Sequence, residues 1–432
     1  MYDKLETFIE KYKLATKTGD YESECEKFIG QMELGLEGKP SSLHMIHSFI
    51  SDAGTLPADR KIIVVDAGGT NLRVATVYFD KEMQPVIENF HKYPMPGTDG
   101  EITADEFFVK VAEYILPLAD ESDSIGICFS YAAQITENKD AVIIEFAKEV
   151  KISGAAGLLV CAGIHEHLAA MGASEKRYTL VNDTVATQLA AKITASDAEC
   201  DGYFGYILGT GANACYTEKN TNITRLPVGY AKDGGMIINV ESGYYSLFDR
   251  GGIDEQLDRE SENPGSHILE KMTSGAYLGD LIKRVLQRAA EEGLFSEMAE
   301  KKIFALREIP LYQVDMFYDD RQSDNPLADC FKDAEEDFIT GTRLIDCVMR
   351  RAAYLNIVVF GSVLLKSDAG KDKNRPALMC VDGTTFYKTD WLRDHIFPLS
   401  EDLIEGKLGR YIKIVRVEDA PLIGTAVAGL IN

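Results

Sequence analysis

Ile62-Ile63-Val64-Val65-Asp66-Ala67-Gly68-Gly69-Thr70-Asn71-Leu72-Arg73 is the stretch on which the fold turns. Four β-branched residues in a row read as a short buried strand. The Gly-Gly pair lets the backbone reverse, and residues 72–79 form a second β-rich run. A hairpin is expected. Gly68 and Gly69 at its tip would leave backbone N–H groups open to phosphate oxygens. Thr70 and Asn71 add side-chain donors, and Arg73 adds a cation. Asp66, at the strand end, is suited to hold a magnesium ion through water. A plain Gly-Gly turn would also fit, but such a turn requires neither the Asp nor the Arg.

Residues 203–218 echo this pattern around Gly209-Thr210-Gly211. With Ala214 the segment also matches G-x-G-x-x-A, the dinucleotide fingerprint, which should open a helix. The following residues, 215–220, are short, polar and alternating, so a second strand fits better. A second phosphate-binding hairpin is therefore expected. No G-x-x-x-x-G-K-[ST] is present. Two Gly-centred hairpins suggest two related α/β domains around one cleft.

Asn182-Asp183-Thr184 lies between the hairpins, after the apolar run 178–181 and before an Ala-rich helical pattern. Two readings stay open here. The pair is a natural helix N-cap, and an Asp at a strand–helix junction is also placed to act as general base toward a bound hydroxyl. Ser130-Tyr131-Ala132 follows a strand-like run at 125–129. Lys148, Glu241 and Glu270, taken singly, read as surface charges.

Elsewhere the first ~60 residues read as helical and polar. Helical spacing is expected at 105–118, 158–171, 277–292, 333–365 and 424–431, a strand at 378–381, and an acidic loop at 315–324. No apolar run of about 18 residues stands out as a membrane span. The 432 residues carry 69 acids against 45 bases, a net charge of -24. That balance argues against nucleic acid or an anionic membrane surface as main partner. The eight cysteines form no C-x-x-C pair. They read as reduced, buried thiols, and a cytoplasmic location is expected.

In order and spacing these motifs resemble the eukaryotic-type hexokinase family, from about residue 60 to the C-terminus. Residues 66–74 resemble its first phosphate motif, Phe129-Ser130 the start of its sugar motif, and 180–187 its catalytic segment. Residues 207–216 resemble the second phosphate motif, and Val381-Asp382-Gly383-Thr384 the adenosine motif. The resemblance implies a two-domain actin-like ATPase fold with the ligand cleft between domains. Residues 1–61 would pack on the large domain. Residues 62–181 would form the small domain, completed by 421–432, and 182–420 the large one. It implies ATP and magnesium as cofactors, a hexose as substrate and a monomer or homodimer. Asp183 would be the base. Ser130, Lys148, Asn182, Asn213, Glu241 and Glu270 would bind sugar. Asp66, Gly68, Gly69, Thr70, Asn71, Arg73, Gly209, Thr210, Gly211, Gly383 and Thr384 would serve the nucleotide.

The chain departs from the family pattern in places. Ser-Phe-Pro is Ser130-Tyr131-Ala132, Thr-Lys is Ala147-Lys148, and Asn-x-Glu-Trp-Gly is Asn239-Val240-Glu241-Ser242-Gly243. These changes leave the base and both carboxylates in place, and they put sugar preference in question. A silent sugar sensor or another actin-like protein, filament former or carbohydrate kinase, are the rival readings.

Overall fold

The computed structural model describes residues 2–146, 150–196 and 198–432. Two sheets share one topology. In the first, Arg177–Val181 runs parallel to Ser124–Phe129, which runs parallel to Ile62–Gly68. Asn71–Phe79 and Pro85–Pro94 then follow antiparallel. In the second, Ile412–Val415 is parallel to Ala377–Asp382 and that to Tyr203–Leu208, with Ala212–Lys219 and Gly235–Asn239 antiparallel. A two-residue strand, Ile46–His47, adds an edge to the second sheet. Both Gly-centred hairpins thus occupy the same place in their sheets. The second hairpin pairs strand to strand, Phe204 opposite Tyr216 through Leu208 opposite Ala212. That geometry excludes the strand–turn–helix a dinucleotide fingerprint needs.

The last strand of each sheet leads into a helix, and the two helices are exchanged. Asp183–Ala190 leaves the first sheet and packs on the second, while Ala420–Ile431 leaves the second and packs on the first. Small residues make this possible. A Cβ on Gly424 would clash with the Ala186 carbonyl, one on Gly205 with the Thr184 carbonyl, and one on Gly126 would lie 2.9 Å from the Thr425 carbonyl. Val181, Val185, Leu189, Cys215, Cys380, Leu422 and Ala426 share the apolar cluster between the sheets.

A second cluster fills the outer side of the first sheet, with Phe107, Phe108, Ile127 and Val160. The helix Ala104–Ile115 enters it through a capping box, in which the Glu106 N–H donates to Thr103 Oγ1 and the Thr103 N–H to Glu106 Oε2. The largest cluster joins the second sheet to the N-terminal helices Tyr2–Lys11 and Tyr21–Leu36 through Phe8, Phe28 and Met32. Its spine is the 33-residue helix Glu335–Ser367.

That helix corrects one expectation, because by length and composition it is apolar enough to cross a membrane. Its apolar window is 89% buried inside the protein, so the hydropathy belongs to a core helix. The expected acidic loop is corrected over its first half, while residues 320–324 are irregular as expected. Leu311–Asp319 is a helix, in which Val314, Asp315 and Phe317 face the core. Its apolar face outweighs the charge run that suggested a loop. All eight cysteines are free and buried.

Candidate active site

Asp66 lies inside the strand Ile62–Gly68, two residues before its end, and is buried beside Cys128. Burial raises its pKa, while Arg73 opposes the rise through an ion pair of 2.7 Å. Arg73 also reaches Asp419 at 3.0 Å. Its guanidinium therefore ties the first hairpin to the start of the C-terminal helix rather than standing open at the tip. Thr70, at the tip, is exposed with Gly69, whose φ is +57°. The Tyr131 hydroxyl donates to the Gly69 carbonyl at 2.6 Å, so the departure at Tyr131 braces this turn.

Asp183 is the first residue of its helix and Asn182 the cap. The Thr184 N–H donates to Asn182 Oδ1 at 2.9 Å and to Asp183 Oδ1 at 2.7 Å. The capping reading holds for Asn182, and it leaves the Asp183 carboxylate at the first turn of the helix. Burial pushes the Asp183 carboxyl up to about 6, against the Thr184 N–H, the Ser130 hydroxyl and the Thr184 hydroxyl, which pull it down. A carboxylate near 6 is well matched to proton abstraction at neutral pH.

Glu241 stands at φ +57°, a left-handed conformation that a non-glycine adopts only where its surroundings hold it. Asn239 supplies the hold: its amide donates to Glu241 Oε1 at 2.7 Å. Asn213 donates to Asn239 Oδ1 at 2.8 Å and to Glu241 Oε1 at 3.3 Å. Burial lifts Glu241 to about 7, with the charges of Asp183 and Glu270 adding to the rise. Glu270 Oε2 accepts the Ala212 N–H at 3.0 Å. A Cβ on Gly211 would lie 2.6 Å from that oxygen and one on Gly243 3.2 Å. The Gly209–Gly211 turn is therefore packed against the Glu270 carboxylate as well as facing outward.

The second hairpin is held by residues that sequence reasoning did not single out. The Gly275 N–H and the Thr385 hydroxyl donate to the Gly209 carbonyl at 2.9 Å and 2.7 Å. Gly383 has φ +113°, and a Cβ there would overlap the Leu208 carbonyl. A cavity of about 260 Å³ opens beside these residues, lined by Thr210, Gly275, Ala276, Leu311, Thr384 and Lys388. Asp382 ends its strand opposite Ile207 of the second hairpin, and its charge adds to the rise in the Asp66 pKa. The Gly-Thr-Thr run was the only local signal for Thr385. Nothing local marks Gly275. Ala147 and Lys148 lie outside the described residues.

The structure thus brings together Asp66, Ser130, Asp183, Asn213, Glu241 and Glu270 where the two sheets face each other. Asp183 and Glu241 each feel another of these acids. Glycine turns and a hydroxyl-lined cavity lie beside them.

Two family models, both described as Hexokinase, match residues 5–193 and 203–431. Hexokinase-7 of Oryza sativa subsp. japonica is 28% identical over 422 residues, covering 92% of this chain and 90% of its own length. Hexokinase-1 of Schizosaccharomyces pombe is 25% identical over 429 residues, covering 94% of this chain and 86% of its own. A hexokinase from Schistosoma mansoni, solved in complex with glucose, superposes with a TM-score of 0.74 at 22% identity, covering 99% of this chain and 98% of that one. At that identity the likeness is one of fold.

Proposed function

This chain belongs to the hexokinase family, and we propose that it moves the γ-phosphoryl group of magnesium-ATP to the 6-hydroxyl of a hexose, with Asp183 as general base. One observation carries the reading. An aspartate with its pKa raised to about 6 stands beside two further carboxylates, at the meeting of two sheets that each present a glycine turn.

Glu241 and Glu270 are acceptors when ionised and suit the hydroxyls of a neutral sugar. A sugar phosphate or sugar acid would meet like charge. Glucose is the first candidate. Asn182, Asn213 and Ser130 complete the polar wall, and Lys148 is assigned to it from its place in the sequence.

The residues present fit a magnesium–nucleotide. Asp66 commits Oδ2 to Arg73, and its Oδ1 faces the turn near Gly68, where it would hold the ion through water. Gly69, Thr70, Asn71, Gly209, Thr210 and Gly211 would cradle the phosphates, and Gly383 and Thr384 the nucleoside, beside the 260 Å³ cavity. The ion supplies charge neutralisation on the phosphate oxygens. The protein's part is alignment: Asp183 accepts the 6-hydroxyl proton as that oxygen attacks in line. Residues 62–181 with 421–432 would move as the small domain against 1–61 with 182–420, shutting water out of the cleft.

Asp183→Ala decides the assignment. Glucose affinity should stay within about tenfold while turnover falls at least about a hundredfold, the scale of a lost base. Calorimetry and a coupled ATP-plus-glucose assay read the two. Turnover above a tenth of wild type would reject Asp183 as the base.

A further inference from the structure

Tyr244 closes the short turn that begins directly after Glu241, and its N–H donates to the Glu241 carbonyl at 3.1 Å. Gly243, its neighbour in the chain, is packed against the Glu270 carboxylate. The Leu269 N–H donates to the Tyr245 carbonyl at 3.1 Å, locking this turn to the helix Ile268–Thr273 that carries Glu270. Tyr244 therefore sits where the supports of the two sugar carboxylates meet.

Its ring packs against two imidazoles. The His44 ring lies 4.2 Å from it and the His267 ring 3.9 Å, centroid to centroid, tilted by 34° and 38°. His267 is itself fixed by Ser266, whose hydroxyl lies 2.9 Å from Nδ1. Burial holds both imidazoles below their usual pKa, so near neutral pH they are uncharged stacking partners. Burial raises the phenol pKa, and the charges of Glu241 and Glu270 add to the rise, so both carboxylates are within electrostatic reach of it. Tyr244 is half-buried, and its hydroxyl makes no hydrogen bond to any described residue. A tyrosine whose ring packs against two imidazoles and whose hydroxyl bonds no described residue has one polar function left to offer a ligand. Neither the family resemblance nor the comparisons give it a role.

With the reacting 6-hydroxyl at Asp183, the far end of a hexose ring points toward Glu241 and Glu270, and so toward this hydroxyl. We propose that Tyr244, packed against His44 and His267, is a further sugar-contacting residue whose hydroxyl bonds the C1 or C2 hydroxyl of the hexose. The assignment rests on the kinase reading above.

The test is Tyr244→Phe, which keeps the ring and its stacking and removes one oxygen. Steady-state kinetics are measured with glucose, 2-deoxyglucose and 1,5-anhydroglucitol, which lacks the C1 hydroxyl. For glucose, kcat/KM should fall about fivefold to tenfold, mostly through KM, the size of one lost hydrogen bond. For the analogue lacking the contacted hydroxyl the loss should shrink to about twofold or less, since the two deletions then share one interaction. His44→Ala should reproduce part of the loss and His44→Phe should restore it, because only a ring is needed there. Equal losses on all three sugars, or none, would overturn the assignment while leaving the kinase reading intact. A wild-type protein that phosphorylates no hexose would overturn the kinase reading itself, and the assignment with it.

Discussion

Asp183 and Glu241 show what burial does to single carboxylates in this cleft. With Asp183 at about 6, the proposed base is ionised at neutral pH and protonated in mild acid. The acid limb of kcat/KM should bend near pH 6 and fall about tenfold per unit below it. A pH profile of the free enzyme whose acid limb bends near 4 would contradict that environment. Glu241 has a stability consequence. Its folded-state pKa of about 7 lies above its ordinary 4.5. Between those values the folded protein holds the proton more tightly than the unfolded chain. Its stability therefore declines as pH rises through that window. Glu241→Gln should stabilise the protein above pH 7 by on the order of 1–3 kcal/mol while weakening sugar binding. The gain should vanish below the ordinary 4.5, where Glu is protonated in both states. Denaturant melts at two pH values check the sign.

The hairpins and their supporting turns are the elements that matter. Gly211 is needed because Glu270 lies against it, 2.6 Å from where a Cβ would stand. Gly211→Ala should push the carboxylate off the Ala212 N–H and raise the KM for sugar more than that for ATP. Gly383→Ala should do the reverse. Its φ of +113° and the overlap with the Leu208 carbonyl disturb the nucleotide side. Paired KM measurements separate the two. These hairpins were legible as hairpins because strand propensity and a Gly-Gly or Gly-x-Gly reversal are local properties. The reading failed at 315–319, where a helix with an apolar face towards the core sits inside an acidic run. It also did not foresee the fate of Arg73, which pairs with Asp66 across its own hairpin and with Asp419 from the far end of the chain.

At the scale of the molecule, two sheets of one topology exchange their last helices, and the crossing is made by Gly424 on Ala186. A closure motion about this crossing would tilt one helix on the other without separating them. Gly424→Leu should jam the contact and cost about 1–3 kcal/mol or more in chemical denaturation, as overpacking does. In the wild type, small-angle scattering should show a smaller radius of gyration with glucose than without it. An unchanged radius would count against closure.

The sequence by itself determined the two glycine reversals, the buried strands that flank them and the Asn182–Asp183 helix start. Each of these is written in a few consecutive residues through backbone freedom, β-branching or capping. Tertiary structure alone decided that Glu241 is buried where the charges of Asp183 and Glu270 both reach it, that Tyr244 packs against two imidazoles, and that the apolar helix Glu335–Ser367 is a core spine. Their partners are brought from distant parts of the chain, and only packing, which no local pattern encodes, selects which distant side chains meet.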